Sequence, residues 1–83
     1  MPSRHALALA ASIADLSRRR LEIERSLLAL GRSTELDVES KRLDVMTKTA
    51  DLWRARADLL LTQLSLASAI GEDLAMLIEG PSQ

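Results

Sequence analysis

Apolar residues recur at alternating steps of three and four residues through most of this 83-residue chain. This spacing places them along one side of an α-helix and is typical of the a and d positions of a coiled coil. One charged residue interrupts the pattern in each half of the chain, Arg20 in the first and Glu39 in the second. We call this set the main stripe: Leu9, Ile13, Leu16, Arg20, Ile23, Leu27 and Leu30, then Leu36, Glu39, Leu43, Met46, Ala50, Trp53, Ala57, Leu60, Leu64 and Ala67.

The segment Gly-Arg-Ser-Thr at 31–34 separates the two periodic segments and predicts a hairpin turn. Gly31 stands where a residue in the left-handed region would end the first helix. Thr34 can cap the start of the second helix, with Asp37 three residues later as the acidic partner of a capping box.

These signals predict an all-α fold, a long antiparallel helical hairpin of coiled-coil type. The chain is one domain, with a helix over about 5–30, a turn at 31–34 and a helix over about 35–70. Gly71 is expected to end the second helix, and 72–83 to form a short terminal helix or tail. The two halves of the main stripe are expected to face each other across the turn.

A second stripe repeats every seven residues beside the main stripe. At about 100° per residue it points away from the main stripe, so we expect other helices to cover it. Its predicted oligomer-forming members are Leu21, Leu28, Val45, Leu52, Leu59 and Leu66. The full second stripe also includes Leu7, Ala14 and Val38.

Two assemblies fit a helix with two apolar stripes. A dimer that forms a four-helix bundle would bury both stripes in one core. A barrel of helices would give every helix a neighbour on each of two sides. The chain has no Cys for a disulfide and is short for a domain, so association is the remaining source of stability.

Composition argues against catalysis and against several partners. There is no Cys, no Tyr, one His and no glycine-rich phosphate loop, so we expect no enzyme activity, no metal site and no cofactor. A net charge of −1 gives no field to hold nucleic acid. Charged residues interrupt every apolar run before about 20 residues, so we expect no membrane insertion.

Several sequence patches resemble a known family. They are Leu-Gly-Arg-Ser-Thr-Glu-Leu-Asp-Val at 30–38, Ala-Arg-Ala-Asp-Leu-Leu-Leu at 55–61, Gln-Leu at 63–64 and Ala-Ser-Ala-Ile-Gly at 67–71. From Gly31 to Gly71 the chain resembles the final helical hairpin of TolC-type outer membrane efflux proteins. The first helix resembles that hairpin by pattern alone.

The resemblance implies a position at the periplasmic tunnel entrance of a trimeric channel, where periplasmic adaptor proteins dock. It implies that Leu30, Gly31, Arg32 and Ser33 form the adaptor-docking tip. It also implies that Asp37 is an entrance charge that helps bind cations. Two positions depart from the family pattern: Leu28 replaces a frequent tip aromatic residue, and Ser40 replaces a second entrance acid.

The chain has no room for the strands and other hairpins of such a channel, so the expectation covers the hairpin alone. The expected location is the periplasmic side of the outer membrane. The alternative is a stand-alone helical-hairpin oligomer that acts as a scaffold or adaptor, in which case we expect it in the cytoplasm.

Overall fold

The computed structural model describes residues 3–79, which form two antiparallel helices joined by a short turn. Helix α1 spans Arg4–Ala29 and helix α2 spans Glu35–Glu79. The hairpin is long and thin, with extents of 76 × 18 × 16 Å. The predicted all-α hairpin is therefore confirmed.

The turn closes α1 through backbone hydrogen bonds around Gly31. The Arg32 N–H donates to the Leu27 carbonyl at 2.8 Å, and the Gly31 N–H donates to the Leu28 carbonyl at 2.9 Å. This pair of bonds defines a Schellman motif, which needs a left-handed residue, and Gly31 has a φ of 72°. The predicted end of the first helix is confirmed.

Helix α2 begins at a threonine cap. The Asp37 N–H donates to Thr34 Oγ1 at 3.1 Å, which satisfies one of the free amides of the first turn. A capping box has two hydrogen bonds, and this is the one that forms within residues 3–79. In the same described residues, the reciprocal bond from the Thr34 N–H to the Asp37 carboxylate is not formed. Glu35 and Asp37 also place negative charge at the positive end of the helix.

Replacing Gly31 by Val should lower the melting temperature, because a left-handed backbone costs a residue with a Cβ roughly 1–2 kcal/mol. In a domain of this size that corresponds to a shift of several degrees, measured by far-UV circular dichroism. Gly71→Ala is the matched control. Gly71 is helical and an added Cβ meets no atom within 4 Å, so this change should raise the melting temperature slightly. A melt unaltered by Gly31→Val would contradict the assigned turn.

The prediction that Gly71 ends the second helix was wrong. Helix α2 continues through this residue to Glu79, and Gly71 does not have a positive φ. A glycine inside a helix costs only about 1 kcal/mol relative to alanine, which helix-forming neighbours offset. The predicted stop at Gly80-Pro81 lies outside the described residues.

Helix α2 extends well past the start of α1. It has 45 residues against 26 in α1, a difference of 19, which at 1.5 Å per residue is roughly 28 Å. From Gln63 to Glu79 every residue is exposed. We call residues 61–79 the overhang.

The contact between the helices is made by the second stripe. Ala14, Leu21, Val38 and Leu52 are the buried apolar residues, all at most 8% exposed. Ser17 is buried beside them, and its hydroxyl donates to the Ala14 carbonyl at 2.6 Å. Because this hydroxyl is hydrogen-bonded within its own helix, it can be buried against α2 without losing a partner. Ala14 and Ser17 are also small side chains, which permit α2 to pack closely.

The prediction that the main stripe holds the hairpin together was therefore wrong. Leu16 is 47% exposed, Leu43 is 54% exposed and Trp53 is 61% exposed. The contact inside the hairpin is made by the second stripe and not by the main stripe.

Candidate interaction surface

The main stripe leaves a row of large apolar side chains exposed on each helix. Exposure of its large aliphatic and aromatic members runs from 40% at Ile13 to 78% at Leu36. Only Leu27 among its large apolar residues is half-buried. Large exposed apolar patches often mark interaction sites, so the main stripe is the candidate interaction surface.

The two halves of the main stripe point in different directions. In α2 every main-stripe residue from Glu39 onwards follows a second-stripe residue by one or five positions, which at about 100° per residue places it roughly 100° or 140° from the second stripe. In α1 the corresponding steps are two and six, which at about 100° per residue place the main stripe roughly 160° or 120° from the second stripe in the opposite sense of rotation. Ile13 and Leu27, at the smaller of these angles, are partly covered. Neighbouring helices could therefore pack on two separate sides.

The predicted oligomer-forming residues mostly lie inside the hairpin. Leu21 and Leu52 are buried, and Leu28, Val45 and Leu59 are half-buried. The prediction that these five need another chain was wrong, because the partner helix of the same hairpin covers them. Leu66 differs, since it lies in the overhang and is 62% exposed.

The tip presents two side chains to solvent. Leu30 is 71% exposed and Arg32 is exposed, whereas Ser33 is half-buried. The Ser33 hydroxyl donates to Glu24 Oε2 at 2.5 Å and so ties the turn back to α1. The turn has a defined shape, with Leu30 and Arg32 displayed at its end.

Asp37 is exposed in the first turn of α2. Within residues 3–79 its carboxylate makes no salt bridge, so its charge is available to solvent or to a ligand.

Charged side chains along the hairpin form local pairs at helical spacing. Such exposed pairs contribute little to stability, so they describe a solvated surface. The pairs in the described residues are Asp15 with Arg19 at 3.0 Å, Glu39 with Arg42 at 3.5 Å, Asp44 with Lys48 at 3.9 Å, and Asp51 with Arg54 at 3.3 Å.

Trp53 lies on the main stripe and so faces outward. The guanidinium of Arg56 lies 5.2 Å from the centroid of its ring, within the range of a cation–π contact. Part of the ring is thus covered within the chain, and the remainder adds to the apolar surface.

Helix α2 contains an 18-residue window with a mean hydropathy of 1.2, none of it buried within the hairpin. By length and composition alone such a helix is apolar enough to cross a membrane. A helix that is covered in an assembly satisfies the same criterion.

Comparison of the chain with protein-family models, with curated proteins and with solved structures gave no match.

Proposed function

We propose that this chain is a non-catalytic assembly element that packs side by side with other helices through the main stripe. The observation that carries the proposal is the exposure of that stripe along both helices. The second stripe already completes the contact inside the hairpin, so the main stripe is not needed for it. Burying its apolar side chains against another helix would lower the free energy of the system.

The context we propose is the tunnel entrance of a TolC-type outer membrane efflux channel, on its periplasmic side. One support is that the segment from Gly31 to Gly71 resembles the final helical hairpin of that family. The other is that the exposed halves of the main stripe on α1 and α2 face different directions. A helix in a barrel has a neighbour on each of two sides. In this arrangement the second stripe of each helix contacts the other helix of the same hairpin, and the main stripe contacts a helix of the next hairpin.

In this proposal the tip residues 30–33 dock a periplasmic adaptor protein. Leu30 offers an apolar contact and Arg32 a charge, and the bond from Ser33 to Glu24 holds the turn in place. A turn that keeps its shape before binding loses less conformational entropy when a partner docks.

Asp37→Ala tests the entrance role in the full-length channel to which the hairpin would belong. Symmetry would bring copies of this acid together and create a cation site, so the substitution should weaken block of conductance by multivalent cations. The free energy of unfolding should fall by about 0.3–1 kcal/mol, the usual contribution of one acid at a helix start. The measurement is single-channel conductance with and without the blocking cation.

Asp51→Ala is the control for this test, because Asp51 lies far from the tip and pairs with Arg54 on the surface. Its block should equal that of the unmodified channel. If block in the Asp37→Ala channel is undiminished, the pore role is wrong, and the stand-alone scaffold remains as the second candidate. That candidate is favoured by the overhang, whose exposed apolar residues a homo-oligomer would also cover.

A further inference from the structure

We propose that the main stripe of α1 binds the main stripe of α2 from a second copy of this chain, in an antiparallel register set by Arg20 and Glu39. The inference rests on the side-by-side packing of the proposed function and adds the partner and its alignment. It uses the faces of both helices that the hairpin leaves uncovered.

Arg20 and Glu39 are the two charged residues of the main stripe, and their charges are opposite. Both are exposed. Within residues 3–79 Arg20 makes no salt bridge, and Glu39 pairs with Arg42 in the same helix at 3.5 Å. An exposed pair at this spacing is weak, so Glu39 can exchange it for a partner in another chain at little cost.

The spacing of the stripe around these residues is complementary. From Arg20 towards the N-terminus, successive stripe residues follow at steps of four, three and four. From Glu39 towards the C-terminus the steps are also four, three and four. An antiparallel pair with Arg20 opposite Glu39 therefore places apolar residues opposite each other in four layers: Ile23 with Leu36, Leu16 with Leu43, Ile13 with Met46, and Leu9 with Ala50.

Other registers leave the charges without partners. A shift of one heptad in one direction sets Arg20 opposite Met46 and Glu39 opposite Leu27. The reverse shift sets Arg20 opposite Arg32 and Glu39 opposite Ile13. Burying an unpaired charge is costly, and a single polar position in a coiled-coil core is enough to fix register. Charge complementarity thus selects one alignment and identifies a second copy as the occupant.

The contact is head-to-tail, because each copy contributes α1 to one neighbour and α2 to another. Heterologous contacts of this kind build rings or open chains. Assembly is therefore expected to continue past two copies.

Charge exchange tests the register. Arg20→Glu and Glu39→Arg should each weaken self-association about tenfold or more, since each puts two like charges opposite one another. An equimolar mixture of the two variants should regain the association of the unmodified chain, because every contact between unlike variants again joins opposite charges. The double variant should behave as the mixture does. Sedimentation velocity measures all four samples, and circular dichroism confirms that each is helical.

Arg18→Glu is the matched control, since Arg18 is an exposed neighbour off the main stripe, and its association should be unchanged. If the unmodified chain associates but the single variants associate equally well, the register is wrong while side-by-side packing stands. The register is also wrong if the mixture stays as weak as its components. An unmodified chain that is monomeric overturns the proposed binding between copies of this chain. Binding of that monomer to phosphatidylcholine vesicles would then assign the stripe to lipid and would overturn packing against helices as well.

Discussion

Leu52→Ala is expected to lower the free energy of unfolding by about 2–5 kcal/mol, the usual cost of removing a buried leucine side chain. Leu52 is 7% exposed and packs against α1 at the second stripe. A domain of this size has a total stability of roughly 4–12 kcal/mol, so the loss removes a large part of it. Urea unfolding followed by far-UV circular dichroism measures the change, at fixed protein concentration because association adds to stability.

Leu61→Ala provides the comparison within the same helix. Leu61 is 61% exposed and belongs to neither stripe, so its replacement should change stability by no more than about 0.5 kcal/mol. Equal losses in the two variants would mean that the second stripe is not the core of the hairpin.

The paired substitution Leu16→Ser and Leu43→Ser is expected to weaken self-association while the stability of the hairpin changes little. Both side chains are about half exposed in the hairpin, so helicity should be retained. If both side chains are covered in the assembly, each contributes on the order of 1 kcal/mol to a contact, because burying a whole leucine contributes about 1.5–3 kcal/mol. The association constant should fall about tenfold or more per contact.

Leu21→Ser is the matched second-stripe variant for that experiment. Leu21 is buried, so this change should lower thermal stability before it lowers mass. Mass that falls with Leu21→Ser at full helicity, and persists in the paired variant, would restore the roles that the sequence pattern predicts for the two stripes.

The turn could be predicted from sequence because its chemistry is local. Gly31 is the residue type that tolerates a positive φ, and Thr34 is a residue type that caps a following helix. Neither signal depends on what packs against the hairpin. The end of α1, the turn and the start of α2 were predicted correctly from these residues.

The roles of the stripes could not be predicted, because the amount of apolar surface does not show which neighbour covers it. The main stripe has the three-four spacing of coiled-coil a and d positions, which predicts that it forms the core. The contact inside the hairpin instead uses Ala14 and Ser17, whose small side chains permit close approach of the helices. A chain that has two kinds of neighbour needs two stripes, and periodicity alone does not rank them.

The length of α2 was also underestimated from sequence. Gly71 has the residue type of a helix end but lacks a left-handed conformation, and a single glycine is a weak helix breaker. Because of this error, the full length of the overhang could not be predicted from sequence. Ile70, Leu74 and Ile78 are exposed on this part of α2.

The solution mass of the unmodified chain is the most direct test of its role as an assembly element. Light scattering at micromolar concentration should show a helical species heavier than two chains, at a multiple of 9.1 kDa. The mass should fall in the paired Leu16→Ser and Leu43→Ser variant without loss of helicity. A helical monomer of 9.1 kDa that melts cooperatively would contradict the account, because the main stripe would then be stable in water without a partner.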